Sequence, residues 1–260
     1  MHQKPSRVRT VVAPAIALVV GLALWELAAW LFSINPIIFP PPHEIGFAIA
    51  DNALYLLFHG GITMFEAILG FCLGSIAAYL LAIVFVHSDL VRVALYPYAV
   101  ALKSTPLIAL APIIVLWFGN GVGSKVVMAA LVAFFPVLVN SVTGLTAVPQ
   151  EVLDLMRSLS ATRLQVLIKI RIPSSLSYLF ASLRIASSLA VVGAVIGEFT
   201  GSTRGIGFVI NTSSYYLRTP LMFAAVVTIA FGGVLLFSLV GYVERHVVFW
   251  KQNSESEVGK

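Results

Sequence analysis

The stretch "DLMRSLSATRLQVLIKIRIPSS", residues 154–175, stands between long runs of Val, Leu, Ile, Ala and Phe. It carries four cations, Arg157, Arg163, Lys169 and Arg171, and an apolar pattern of its own. Leu155, Met156, Leu159, Leu164, Leu167 and Ile168 fall near helical spacing, and Pro173 ends the pattern. A loop that merely follows the preference for cations on one side of a membrane explains the charge. It does not explain about 25 residues with distinct apolar and basic faces, because loops between neighbouring spans are usually short.

The rest of the chain says what this loop sits in. Of 260 residues, 59% are hydrophobic and 10% are charged, against about 25% charged in soluble chains. No soluble core of this size hides so much apolar surface, so the chain reads as an all-α integral membrane protein. The net charge is only +5. The basic residues sit beside hydrophobic spans and form no extended basic domain, which argues against nucleic-acid binding. The single cysteine, Cys72, lies in an apolar run. It has no partner for an intrachain disulfide and reads as a small buried hydrophobe.

Six segments are long and apolar enough to cross a bilayer: about 11–32, 62–86, 95–118, 125–147, 177–199 and 220–243. The first comes after a basic head (Lys4, Arg7, Arg9) but exceeds the roughly 7–15 residues of a signal-peptide core, so it reads as an uncleaved span. The third contains Pro97, Pro106 and Pro112 and is expected to be kinked or partly unwound. Between the first two spans, Phe47 to Phe58 is apolar with helical spacing and reads as a helix lying in the outer interface. His43 and His59 flank it as interfacial polar residues. The expected division is a tail, first span and interfacial helix over 1–61, a five-span domain over 62–247 with the patterned loop at 149–175, and a polar tail over 248–260.

Lysine and arginine placement gives the direction. With the N-terminus in the cytoplasm, Lys4, Arg7, Arg9, Arg92, Arg157, Arg163, Lys169, Arg171, Arg245, Lys251 and Lys260 lie inside. Only Lys125, Arg204 and Arg218 fall near the outer side. Both termini are therefore expected in the cytoplasm. Within or at the ends of spans lie Glu26, Glu66, Lys103, Arg184 and Glu198, each costly to bury and so a functional candidate. Arg184, near an inner end, reads as snorkelling to the lipid surface. Glu26 is mid-span and reads as pairing with another helix, and Glu198 is at an outer end where solvation is easy. Lys103-Ser104-Thr105-Pro106 joins a cation and two hydroxyls to a helix break, which suits an anion pathway; pairing of Lys103 with a carboxylate such as Glu66 is the alternative. Lys103, Ser104, Thr105 and Glu198 are the candidate pathway residues.

The 154–175 stretch resembles the cytoplasmic coupling loop of permease subunits of bacterial ATP-binding-cassette importers, whose motif runs Glu-Ala-Ala, three residues, Gly, nine residues, Ile, one residue, Leu-Pro. Asp154, Leu155 and Met156 stand at the Glu-Ala-Ala positions, Ser160 at the Gly, Ile170 at the Ile, and Ile172-Pro173 at the Leu-Pro. "LRIASS" at 183–188 and "GEFTG" at 197–201 are similar to segments C-terminal to that motif in the family, and "KSTPLIALAPIIVLWFGNG" resembles the third span of the subfamily importing nitrate, sulfonates, taurine and pyrimidine-type precursors. The resemblance implies a type I importer permease in the bacterial inner membrane, with coupling helices between spans four and five. It implies a pore of two permease subunits, expected as a homodimer, two cytoplasmic ATPases and an extracytoplasmic binding protein. Asp154, Leu155, Met156, Arg157, Ser160, Ala161, Ile170 and Pro173 would then contact the ATPase. The chain has no phosphate-cradling GxxxxGK[ST] sequence, so ATP and magnesium are expected on the partner and none is expected here. A stand-alone secondary transporter or channel relaying ions through Glu66 and Glu198 is the competing reading. A membrane enzyme is disfavoured, because neither HExxH nor paired aspartates occur within the spans.

Overall fold

A computed structural model describes residues 7–103 and 106–249. The described residues are helical and contain no strand. In chain order the helices are α1 (Arg7–Leu31), α2 (Pro42–Asp51), α3 (Ala53–His87), α4 (Asp89–Lys103), α5 (Ala111–Phe118), α6 (Val122–Thr146), α7 (Gln150–Ser158), α8 (Arg163–Val166), α9 (Ile172–Phe199), α10 (Ile206–Tyr215) and α11 (Thr219–Val247). Five stretches are long and apolar enough to cross a bilayer: Val12–Leu31, Ala53–His87, Val122–Thr146, Arg163–Phe199 and Thr219–Val247.

The predicted third span is the exception, and its prolines are the reason. α4 stops at Lys103, a 3₁₀ turn covers Leu107–Leu110, and α5 adds only eight residues. Pro106 has no N–H to continue a helix and biases the residue before it away from helical geometry. Pro112 falls in the first turn of α5, where a missing N–H is harmless. Ser104, Thr105 and the side chain of Lys103 lie outside the described residues, as do residues 250–260 of the polar tail.

α6 is the centre of the bundle, clasped between α3 and α9. The clasp works because the facing residues are small. A methyl group placed on Gly74 of α3 would come within 2.3 Å of the Ala130 carbonyl oxygen, and one on Gly193 of α9 within 2.8 Å of the Ala129 Cα. Ala67, Ala78, Ala82, Ala133, Ala186, Ala190 and Ala194 are fully buried along the same faces. Between helices in lipid no water is released from the contact, so close backbone approach through small residues supplies the attraction. The large side chains point outward instead, Leu73, Leu80, Val192 and Phe231 among them.

Four sequence expectations change. Cys72 is exposed rather than buried: it lies two residues, about 200° of helix, from both Gly70 and Gly74, which mark the packed face of α3. The helix expected over 47–58 breaks at Asn52 (φ −115°), whose side-chain amide donates to the Ala48 carbonyl, so Leu54 to Phe58 open α3 instead. Pro173 does not end the helical pattern. It occupies the first turn of α9 behind a π-helical segment, Leu167–Arg171, which has already set aside the i→i−4 ladder that a proline disrupts. Arg184 does not snorkel: its Nε lies 2.8 Å from Glu244 Oε2 of α11, off the direction of a hydrogen bond, and its guanidinium sits 5.7 Å from the Phe237 ring centroid. Glu26 does pair with another element, α2, through His43 Nδ1 at 2.6 Å.

Candidate functional site

Two regions at opposite ends of the bundle concentrate the chemistry. The first is the stretch from α7 to the start of α9. α7 closes with a left-handed residue: Ser160 has φ +52°, its N–H donates to the Arg157 carbonyl at 2.9 Å, and the Ala161 N–H donates to the Met156 carbonyl at 3.0 Å. That pair of bonds, three and five residues back, is the Schellman arrangement that satisfies the end of a helix. Two residues on, Thr162 and Gln165 form a reciprocal capping box that starts α8. "SLSATRLQ" therefore writes a stop and a restart within eight residues.

The turn fixes which side chains face out. Leu155, Leu159, Leu164 and Ile168 are each more than half exposed. Asp154 pairs with Arg157 at 2.8 Å, and both remain exposed. Met156, Ala161, Ile170 and Pro173 are half-buried. Leu167 goes into the core, and Arg171 Nη1 donates to the Leu145 carbonyl at 2.8 Å, anchoring the loop to the end of α6.

At the other end, α3, α6, α9 and α10 meet around a buried charged cluster. Glu66, Lys125 and Glu198 are at most 3% exposed. Glu198, expected to be easily solvated, instead caps α10. Its Oε2 accepts from the Gly207 N–H at 2.5 Å, and its Oε1 accepts from Thr63 Oγ1 at 2.6 Å. Thr63 Oγ1 in turn accepts from the Ile206 N–H at 2.7 Å, and the Gly205 N–H donates to His59 Nδ1 at 2.9 Å. His59 is thus a buried acceptor and not an interfacial residue; a ring nitrogen that accepts carries no proton, so its hydrogen is on Nε2. Three consecutive N–H groups at the head of α10 are satisfied this way, with a carboxylate at the positive end of the helix dipole. Gly205 permits the arrangement: at φ +96° a Cβ there would fall 2.0 Å from Glu198 Oε1.

Lys125 is the cation of this cluster. Its Nζ donates to the Asn120 carbonyl at 2.6 Å, and it interacts electrostatically with both Glu66 and Glu198. Glu66 Oε2 has no hydrogen-bond donor among the described residues. The sequence points to Glu66 and Glu198, but it places Lys125 only near the outer side, at the start of a span, and gives no sign of Thr63 or of the role of His59. The available signal was position: Lys125 opens a span, and His59 and Thr63 stand one turn apart ahead of Glu66 on α3.

Residues 70–249 match the model of the family described as binding-protein-dependent transport system inner membrane component. The chain belongs to that family. It is 34% identical to a probable ABC transporter permease protein of Haemophilus influenzae, over 90% of this chain and 96% of that one. It is 31% identical to a formylaminopyrimidine transport permease protein of Halalkalibacterium halodurans, over 92% and 96%, and 28% identical to a taurine transport system permease protein of Escherichia coli, over 90% and 87%. Among solved structures, an inward-facing methionine ABC transporter matches with a TM-score of 0.62 at 17% identity, over 73% of this chain and 94% of that one. At that identity the structural match speaks for the fold. This permease is thus a multi-pass membrane transport subunit of a binding-protein-dependent ABC system, and its family works with an ABC ATPase and a binding protein.

Proposed function

We propose that this permease forms, with a second copy of itself, the translocation pathway of an ATP-driven importer, and that residues 154–173 dock on a separate ATPase that binds ATP and magnesium. The observation that carries this is the exposure of Leu155, Leu159, Leu164 and Ile168 on a turn held by its own caps. A rigid loop that presents apolar side chains outside the membrane-spanning bundle has the form of a helix made to fill a partner's groove. Asp154, Arg157 and Ser160 lie on its exposed side, while Met156, Ala161, Ile170 and Pro173 support it from the half-buried side.

Both termini face the cytoplasm in this reading, and the binding protein delivers a small solute to the opposite end of the bundle. The solute belongs to the range that the relatives' names span, from taurine to a formylaminopyrimidine. Lys103, Ser104, Thr105 and Glu198 are the residues proposed to line the pathway.

The test is at Ala161, in the turn. A tryptophan there overfills a close contact, and overpacking costs about 1–3 kcal/mol. Ala161→Trp should leave membrane expression near normal, weaken co-purification of the partner ATPase, and abolish solute-stimulated ATP hydrolysis. Full ATPase binding and uptake in that variant would make the loop a connector and remove the main support for the reading.

A further inference from the structure

At the loop end of the bundle, between α3 and the α7–α8 turn, lies a cavity of about 510 Å³. His87, Arg157, Arg163 and Arg171 line it beside apolar residues such as Val86, Leu153 and Leu167, and no described Asp or Glu does. Val86 and His87 end one long apolar helix, and Arg163 opens the stretch that runs on into α9. The cavity therefore sits where two spans reach the bilayer surface. Its donors are mostly unspent. A guanidinium carries five N–H groups. Arg157 gives one to Asp154 and Arg171 gives one to the Leu145 carbonyl, each at 2.8 Å. Arg163 has no hydrogen-bond or ion-pair partner among the described residues. One carboxylate against three guanidiniums leaves positive charge in excess, and a phosphate matches the planar fork of arginine.

Two observations select the molecule that carries this phosphate. On α7, Leu153 and Arg157 stand two positions, about 200° of helix, from Leu155 and Leu159. The cavity thus opens on the other flank of α7 from the apolar side chains proposed to meet the ATPase. On α3, the exposed Leu73, Ile76, Leu80 and Val84 form one stripe at three- and four-residue spacing, and His87 continues it. From Leu73 to Val84 the stripe runs about 16 Å, close to one leaflet of a hydrocarbon core about 30 Å thick. It leads an acyl chain to the cavity. Basic pockets between membrane helices take anionic headgroups in this way. We propose that the cavity seats the phosphate of an anionic phospholipid, with an acyl chain along the Leu73, Ile76, Leu80 and Val84 stripe. Such a lipid site goes beyond the transport reading and would be present in the permease alone.

The test is native mass spectrometry of the detergent-purified permease, alone and with its ATPase, titrated with phosphatidylglycerol or phosphatidylcholine. One cation at an anionic lipid surface contributes a factor of roughly 5 in affinity, the equivalent of about 1 kcal/mol. Phosphatidylglycerol should saturate a single site per permease and bind at least about 5-fold more tightly than phosphatidylcholine. Arg163→Gln should lower the phosphatidylglycerol affinity roughly 5-fold and leave phosphatidylcholine unchanged. Arg163 is exposed and unpartnered, so the variant keeps the native fold. Arg245→Gln removes an exposed cation in the last turn of α11, outside the cavity, and should change neither affinity. Inorganic phosphate, which has no acyl chain, should not displace the lipid at millimolar concentration. Equal binding of the two lipids overturns the site. Equal losses in Arg163→Gln and Arg245→Gln would reduce it to diffuse surface charge, and displacement by inorganic phosphate would make it a free-anion site. Loss of bound phosphatidylglycerol on adding the ATPase would assign the arginines to an acidic segment of that partner. Each of these results removes the lipid site, while co-purification and ATP hydrolysis report on the transport reading separately.

Discussion

Ser160 shows how much a single backbone angle can say. Its φ of +52° belongs to the left-handed region, which costs an L-residue roughly 1–2 kcal/mol relative to glycine. The small residue expected at this point of the motif therefore has a physical duty: it ends α7 and lets the chain turn into α8. Ser160→Gly should raise the thermal unfolding midpoint of the purified permease slightly and preserve ATPase binding. Ser160→Val, β-branched and ill-suited to that region, should lower the midpoint and loosen the ATPase. Indistinguishable midpoints for the two variants would mean that the turn is not held in the left-handed state. The neighbouring capping box of Thr162 and Gln165 is equally local, its residues lying within a few positions of one another, yet it does not stand out inside the apolar and basic pattern of the stretch.

At the scale of elements, legibility depends on distance along the chain. Long apolar helices declare themselves by composition, and the broken third span declares itself by three prolines. The packing of α3, α6 and α9 is visible only afterwards, because an alanine or glycine that faces another helix reads like any other small residue. The cap of α10 is harder still. It is assembled from Thr63 and Glu198, 135 positions apart, with Gly207 as the backbone partner. Nothing in the sequence pattern pairs them, so Glu198 reads as a solvated span end although it is 1% exposed. The cap makes a definite prediction. Glu198→Ala strands the Gly207 N–H and leaves the Thr63 hydroxyl only its longer bond to the His59 carbonyl at 3.2 Å; a buried donor left without a partner costs about 1–3 kcal/mol. Glu198→Gln keeps one acceptor oxygen and should fall between the alanine variant and the native protein. Thermal unfolding in detergent checks the order; an alanine variant as stable as the native protein would show that α10 needs no cap from α9.

The whole molecule separates its chemistry by end. In the proposed topology the chain crosses the membrane through α1, α3, the α4–α5 segment, α6, α9 and α11, five of them long apolar helices, and six passages would return it to the side where it began. That topology would put the α7–α8 loop on the same side as the start of α1 and the end of α11, and the cluster of Glu66, Lys125 and Glu198 on the other. Charge is what supports the proposed cytoplasmic side. Eleven lysines and arginines fall on the loop side and three on the cluster side, counting each as assigned from the sequence, and translocation of cationic loops is disfavoured. One of those three, Lys125, is buried between carboxylates, so the cluster side presents even fewer free cations than the count suggests. Cys72 faces outward from α3 and contacts no packed face, so Cys72→Ser provides a neutral background for labelling. In that background, cysteines at Asn52 and Ser202 should react with a membrane-impermeant thiol reagent on intact cells. A cysteine at Ser158, at the end of α7, should react only after lysis. Labelling at position 158 from outside would invert the orientation and put the exposed Leu155, Leu159, Leu164 and Ile168 beyond the reach of any cytoplasmic ATPase.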